Sequence, residues 1–194
     1  MLRRTLLAAM AACAMAPAAG AQEPGDVPPP APVKLDPENT VYMDLAYGRV
    51  VIRLRPDLAP KHVARVKLLC AEHFYDGTVF HRVIDGFMAQ GGDPTGSGEG
   101  GSKYPNLPAE FTQTAHFLRG TVGAARNADP DSANSQFFIM LDPAPSLDGN
   151  YTIWGNVVSG MEFVDKIKKG DPDNNGKVAD PDRIVTMRLA AAAK

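Results

Sequence analysis

Several side chains of this 194-residue protein could do chemistry, and each kind of chemistry imposes its own spacing. Asp171, Asp173 and Asn175, followed by Gly176, Val178 and Asp182, space their oxygens as a calcium-binding loop does. A helix is expected before this segment but a strand after it, and Asp182 stands where a bidentate Glu is usual. A polar turn is therefore the preferred reading, with calcium as the alternative. Residues 96–103, Gly-Ser-Gly-Glu-Gly-Gly-Ser-Lys, imitate a phosphate-cradling loop. The Lys and Ser come in the wrong order and no long helix follows, which argues against nucleotide binding and for a flexible surface loop. His62, His73, His81 and His116 lack metal-ligand spacing, and no acid pairs with a Ser or Cys as a hydrolase triad requires. Strand alternation points His81 away from the face that carries Arg82. Arg82, Gln90 and Gln136 offer donors and acceptors, and Phe87, Met88 and Phe138 offer apolar surface. Taken singly, these six read as surface, loop and core residues.

The elements that must position such groups are mostly short strands. Residues 41–45 and 49–54 are β-forming runs joined by a turn at Gly48, which predicts a hairpin. Pro60 opens a helix in which Val63, Val66, Leu69 and Cys70 recur at helical spacing, with Cys70 a buried, inert thiol. Strands follow over 78–83, 87–90, 117–125, 137–141 and 152–158, then a helix over 161–169 ending at Gly170, and a closing strand over 184–189. Many strands and two helices predict a mainly β barrel or sandwich with helical caps, in one domain over 39–194.

Ahead of that domain, Arg3, Arg4, an apolar run over 6–16 and Ala19-Gly20-Ala21 have the layout of a secretory signal peptide. It would span residues 1–21 and be cleaved before Gln22. The apolar run is too short to cross a bilayer. A lipoprotein-type cleavage at Cys13 is the lesser alternative. Residues 22–38 are proline-rich and read as an extended tether. Taking Arg3 and Arg4 from 20 basic residues leaves 18 against 22 acidic ones, a net charge near -4. That balance argues against nucleic acid or an anionic membrane as partner. With Cys13 removed, Cys70 stands alone and no internal disulfide is possible.

Three longer segments carry a sharper signal: FHRVIDGFMAQGGDPTG over 80–96, GTVGAARNADPDSANSQFFIM over 120–140, and LDGNYTIWG over 147–155. In order and spacing they resemble the cyclophilins, specifically their bacterial exported branch, and the similarity runs over roughly residues 41–189. The resemblance implies an eight-stranded antiparallel barrel capped by two helices, and peptidyl-prolyl cis-trans isomerase activity. It also assigns roles. Arg82 matches the catalytic arginine, and Gln90 and Gln136 the polar pair that positions the arginine and the peptide backbone. Phe87, Met88 and Phe138 match the floor that receives the proline, and Leu147 its wall. Ala125 and Arg126 match the strand along which the substrate extends, and Tyr151 lies where many relatives place a histidine. Two positions depart from the best-known relatives: Ser146 replaces a tryptophan that packs on cyclosporin, and Ala124 replaces a methionine. Weak inhibition by cyclosporin is implied.

The chemistry suits those residue types. The bond before a proline exchanges over a barrier of about 20 kcal/mol, in tens of seconds or longer without a catalyst. Rotation breaks conjugation but no covalent bond, so no nucleophile, metal or cofactor is called for. The site must bind the twisted amide better than either planar form. An apolar pocket can anchor the ring while an arginine donates to the proline carbonyl or to the nitrogen lone pair of the twisted state. The expected protein is a monomeric periplasmic isomerase acting on proline-containing polypeptides as they fold. The rival is a peptide-binding chaperone module that has lost turnover, and the presence of Arg82 favours the enzyme.

Overall fold

The alternation in residues 41–54 builds the first hairpin. In β1 (Thr40–Leu45) Val41, Met43 and Leu45 are buried, as are Val50, Ile52 and Leu54 in β2 (Gly48–Leu54). The two strands pair antiparallel from Thr40–Arg53 to Leu45–Gly48, leaving Ala46 and Tyr47 as a two-residue turn. This computed structural model describes residues 34–193, so the expected signal peptide and most of the tether lie outside the described residues. Within them, the Asp36 side chain accepts from Glu38 N at 3.0 Å and caps a 3-10 turn over Pro37–Asn39. Ala191 N donates to Pro37 O at 3.2 Å, so the last residues of the proline-rich segment are bonded to the domain.

Helix α1 (Pro60–Ala71) begins at a proline, whose missing N–H costs nothing in a first turn. Its buried face carries Val63, Val66, Leu69 and Cys70 at the spacing read from the sequence, together with His62. Burial pushes the Cys70 thiol up to about 12, so it is inert at ordinary pH. The residue before the helix, Ala59, supplies no side-chain cap. Glu110 fills that role from a distant part of the chain. Its carboxylate accepts from Lys61 N and His62 N at 3.0 Å each and sits 2.7 Å from His62 Nδ1.

Six more strands complete an antiparallel sheet: β3 (Arg82–Ile84), β4 (Met88–Gly91), β5 (Thr121–Ala124), β6 (Phe137–Met140), β7 (Ile153–Ser159) and β8 (Ile184–Leu189). Their spatial order is β3-β4-β6-β5-β7-β2-β1-β8, with α1 packed against β7 and β8. The curled sheet is drawn together by hydrogen bonds between the residues just ahead of β3 and those at the start of β8 and just ahead of it. Gly77 N donates to Ile184 O at 2.8 Å, Ile184 N to Thr78 O at 2.9 Å, and Phe80 N to Asp182 O at 2.9 Å. The expected mainly β, eight-stranded antiparallel fold with two helices is therefore present. Three boundaries differ from expectation by more than two residues. The strand expected over 117–125 forms only as β5, Thr121–Ala124. The first half of the strand expected over 78–83 pairs across the closure rather than with β4. The second helix, α2, covers only Met161–Val164 instead of 161–169. Lys168 N donates to the Asp182 carboxylate at 2.8 Å and Gly170 N to Val83 O at 2.9 Å, and these bonds take the place of helical ones.

Strand alternation also divides the apolar residues into two clusters. Ala89, Phe137, Ile139 and Trp154 enter the main core with β1, β2 and α1. Their neighbours Met88, Phe138, Met140 and Ile153 point the other way and form a second cluster with Phe117 and Ala144. Partly buried Phe87, Leu147 and Tyr151 pack against this second cluster, and it supports the site described next.

Candidate active site

Sheet register sets the arginine beside the aromatic floor. Arg82 pairs with Gln90 across β3–β4, Gln90 with Phe138 across β4–β6, and Phe138 with Gly123 across β6–β5. The row thus crosses four strands. A Cβ at Gly123 would lie 2.5 Å from Phe138 Cζ and 2.8 Å from Phe117 Cε1, so the glycine is what lets both rings close over β5. Phe117 and Phe138 stack at 5.6 Å between centroids, and Tyr151 meets Phe138 edge-on at 5.7 Å.

Nine of the ten site residues read from the sequence line one cavity of about 180 Å³. Phe87, Met88, Phe138 and Leu147 supply its apolar surface, Arg82, Gln90 and Arg126 its polar groups, and Ala125 and Tyr151 complete it. Gln136 does not line it. It lines an adjoining cavity of about 530 Å³ that shares Gln90, Ala125 and Arg126 with the first. Ser146, next to Leu147, is exposed and presents no ring at this end of the cavity.

A chain of side-chain hydrogen bonds fixes the Arg82 guanidinium. One terminal nitrogen donates to Gln90 Oε1 at 3.3 Å, Gln90 Nε2 to Gln136 Oε1 at 3.0 Å, and Gln136 Nε2 to the carbonyls of Gly98 and Gly100 at 2.9 and 2.8 Å. On its other side Arg82 Nε donates to Asn175 O at 3.0 Å and the second terminal nitrogen to Asn175 Oδ1 at 2.9 Å. Three of five N–H groups are committed, and each terminal nitrogen keeps one free for a ligand. Burial lowers the Arg82 pKa from its ordinary value, with nearby Tyr151 acting in the opposite sense. Among the described residues Arg49, Arg55, Arg119 and Arg188 each pair with a carboxylate, whereas Arg82 does not. The result is an unneutralised, rigidly held donor beside an apolar cavity, the arrangement that stabilises developing electron density without reorganising.

In the segment whose oxygens are spaced like those of a calcium loop, the side chains have protein partners. Asp171 caps a 3-10 turn by accepting from Asp173 N at 3.0 Å, Asp182 accepts from Tyr47 Oη at 3.1 Å and from Lys168 N, and Asn175 faces Arg82. No group of three or more His, Cys, Asp or Glu side chains able to hold a metal ion occurs among the described residues. Asn175 is the site residue the sequence reading missed. Its φ of 51° is left-handed, and Asn175-Gly176 signals a turn, but nothing local reveals a partner 93 positions away. Replacing Asn175 with alanine removes one acceptor while leaving the backbone carbonyl. Steady-state kinetics should then show kcat/KM about five- to tenfold lower, from one lost charge-assisted hydrogen bond.

The glycine-rich loop, expected to be loose, is tied down. Buried Asp93 accepts from Thr95 N and Thr95 Oγ1 at 2.8 Å and from Gly98 N at 2.6 Å. Burial works to raise its pKa, but these hydrogen bonds outweigh it and hold the carboxyl at about 2. Ser102 N donates to Asn134 Oδ1 at 2.8 Å, and the Gln136 amide clamps the middle of the loop. His81 is buried and outside the cavity that Arg82 lines, as alternation requires, and burial lowers its pKa.

Comparison with known proteins gives this arrangement its context. Residues 40–189 match the family described as cyclophilin type peptidyl-prolyl cis-trans isomerase/CLD. A probable peptidyl-prolyl cis-trans isomerase of Brucella suis biovar 1 is 55% identical over 170 residues, covering 82% of this chain and 86% of the relative. A cyclophilin from Hirschia baltica superposes with a TM-score of 0.73 at 27% identity, over 82% of this chain and 77% of that one. A Cryptosporidium parvum cyclophilin type isomerase, crystallised in the presence of the dipeptide Ala-Pro, superposes with a TM-score of 0.71 at 29% identity, over 77% and 98% of the two chains. With fold, family match and relatives in agreement, this chain belongs to the cyclophilin-type peptidyl-prolyl cis-trans isomerases and is an enzyme of that class.

Proposed function

We propose that the chain isomerises X-Pro bonds of exported polypeptides as they fold, with the proline ring seated in the smaller cavity and Arg82 donating to the twisted amide. The observation that carries this reading is the doubly anchored guanidinium with two free N–H groups at the lip of an aromatic cavity. Phe87, Met88, Phe138 and Leu147 would desolvate the ring. Gln90 acts by holding Arg82, and Gln136 by holding Gln90 and the glycine-rich loop. Ala125 and Arg126, which line both cavities, provide the surface along which the peptide runs from one to the other. The Ala-Pro dipeptide supplied to the Cryptosporidium parvum relative is in keeping with a proline-containing ligand.

Export is supported by Arg3, Arg4, the apolar run over 6–16 and Ala19-Gly20-Ala21. Expressed with its own N-terminus in a bacterial host, the protein should be recovered from the periplasm with a mature N-terminus at Gln22. Intact-mass measurement decides this, and a mass corresponding to acylated Cys13 would replace a soluble periplasmic enzyme with a lipid-anchored one. The purified protein should accelerate refolding of a substrate limited by an X-Pro bond. A slow phase unchanged at stoichiometric enzyme would contradict the folding role.

A further inference from the structure

Arg126 is the second cation of the paired cavities, and the proposed mechanism gives it nothing to do beyond lining them. Its guanidinium is nonetheless carefully held. Nε and one terminal nitrogen donate to Asn150 O at 3.2 and 2.8 Å, and the other terminal nitrogen donates to Asn127 O at 2.8 Å. The group also lies over the Tyr151 ring, 4.5 Å from its centroid. Every protein partner is a neutral carbonyl or an aromatic face. Among the described residues no carboxylate forms an ion pair with it, in contrast to Arg49, Arg55, Arg119 and Arg188. One N–H remains on each terminal nitrogen, a planar pair suited to a carboxylate.

Its position specifies which carboxylate. Arg82 lines only the smaller cavity, whereas Arg126 lines both. If the proline sits in the smaller cavity with its carbonyl toward Arg82, the chain preceding it leaves toward the larger cavity and passes Arg126 first. Glu99, exposed and lining only the larger cavity, reverses the charge beyond that point. We propose that Arg126 makes this isomerase select proline peptides with an aspartate or glutamate immediately before the proline. The inference rests on the placement of proline and Arg82 given above.

The test uses peptides of the form Ala-Xaa-Pro-Phe with Xaa as Glu, Gln or Lys, in low-salt buffer. The Glu peptide should have a kcat/KM about fivefold above the Gln peptide, with Lys a few-fold lower still, as for a partly solvated ion pair. Raising salt to about 0.5 M should bring the three together, because screening acts on exposed charges. In Arg126→Gln the Glu-to-Gln ratio should fall to about one, while Arg126→Lys should keep part of it. Each ratio is internal to one protein, so a general loss of activity does not disturb it. Should Arg126→Gln be inactive, two measurements on the unmodified protein decide instead: the salt response, and a peptide with Glu after the proline, which should gain less than twofold. Equal rates for the three peptides, or a ratio that survives Arg126→Gln, would overturn the inference while leaving the isomerase reading intact. Failure to turn over any of the peptides would sink both.

Discussion

Replacing Arg82 with alanine is expected to lower kcat/KM by roughly a hundredfold or more, about 3 kcal/mol of transition-state stabilisation. The magnitude follows from what the side chain does. A planar X-Pro amide offers its nitrogen no lone pair to a donor, and the twisted amide does, so the interaction is made mainly at the top of the barrier. The anchors on Gln90 and Asn175 mean that the donor is already in place and needs no reorganisation during rotation. Peptide affinity should fall much less, because the apolar cavity contributed by Phe87, Met88, Phe138 and Leu147 is untouched. Arg82→Lys should recover little, since an ammonium cannot bridge Gln90 and Asn175 while still presenting two donors. Kinetics and titration calorimetry on the same proteins separate the two effects. Turnover near the unmodified rate in a folded Arg82→Ala protein would remove the mechanism proposed for this site.

The second large effect is on stability. Glu110→Ala should destabilise the domain by about 2–4 kcal/mol, because it strips a helix N-terminus of its acceptor and leaves His62, only 3% exposed, without its partner. For a domain of this size that corresponds to a fall in Tm of roughly 5–12 °C. The pH dependence has a defined sign. Burial lowers the His62 pKa despite the opposing pull of Glu110. For Glu110, burial works to raise the pKa, but hydrogen bonds from His62 and the helix N–H groups outweigh it and the net shift is down. When folding depresses a pKa, the unfolded chain binds the proton more readily, so stability is full above the unfolded value and is lost as pH falls below it. The loss should begin below about pH 6.5 through His62 and deepen below about pH 4.5 through Glu110. As pH falls from 7.5 toward 5 the gap between the protein and Glu110→Ala should widen, because the variant's His62 lacks the pull of Glu110 and its pKa is lower still. Below about pH 4.5, where Glu110 itself takes up a proton, thermal unfolding should show the gap narrowing again. A gap that stayed constant from about pH 7.5 to about pH 3 would mean that the carboxylate serves neither His62 nor the helix N-terminus.

Much of this architecture was legible because it is written in local periodicity. Val41, Met43 and Leu45 alternate, Val63, Val66 and Leu69 recur at helical spacing, and both patterns lie where β1 and α1 form. Nine of ten site residues were found together because they belong to three contiguous segments, and sheet register converts that order into one cavity. What escaped depends on contacts between distant positions. The end of the helix after Met161 is decided by Asp182 and Val83, the anchor of Arg82 by Asn175, and the cap of α1 by Glu110. Gln136 stands outside the cavity of the other nine, bonded to Gln90 and to the glycine-rich loop, and which of the two cavities it lines depends on that distant loop. Each of these residues has an unremarkable local sequence, and its role exists only once the chain has folded.

Magnetisation-exchange NMR on a proline peptide tests the central claim most directly, because it reads cis-trans interconversion at equilibrium with no coupling protease. At catalytic concentrations of the unmodified protein, exchange should speed up from tens of seconds to well below one second, with the cis-to-trans ratio unchanged. The same concentration of Arg82→Ala should leave exchange near the uncatalysed rate while peptide shifts still report binding. Exchange that stays at the uncatalysed rate with the unmodified protein, despite bound peptide, would contradict the account and identify a binding module in place of an isomerase.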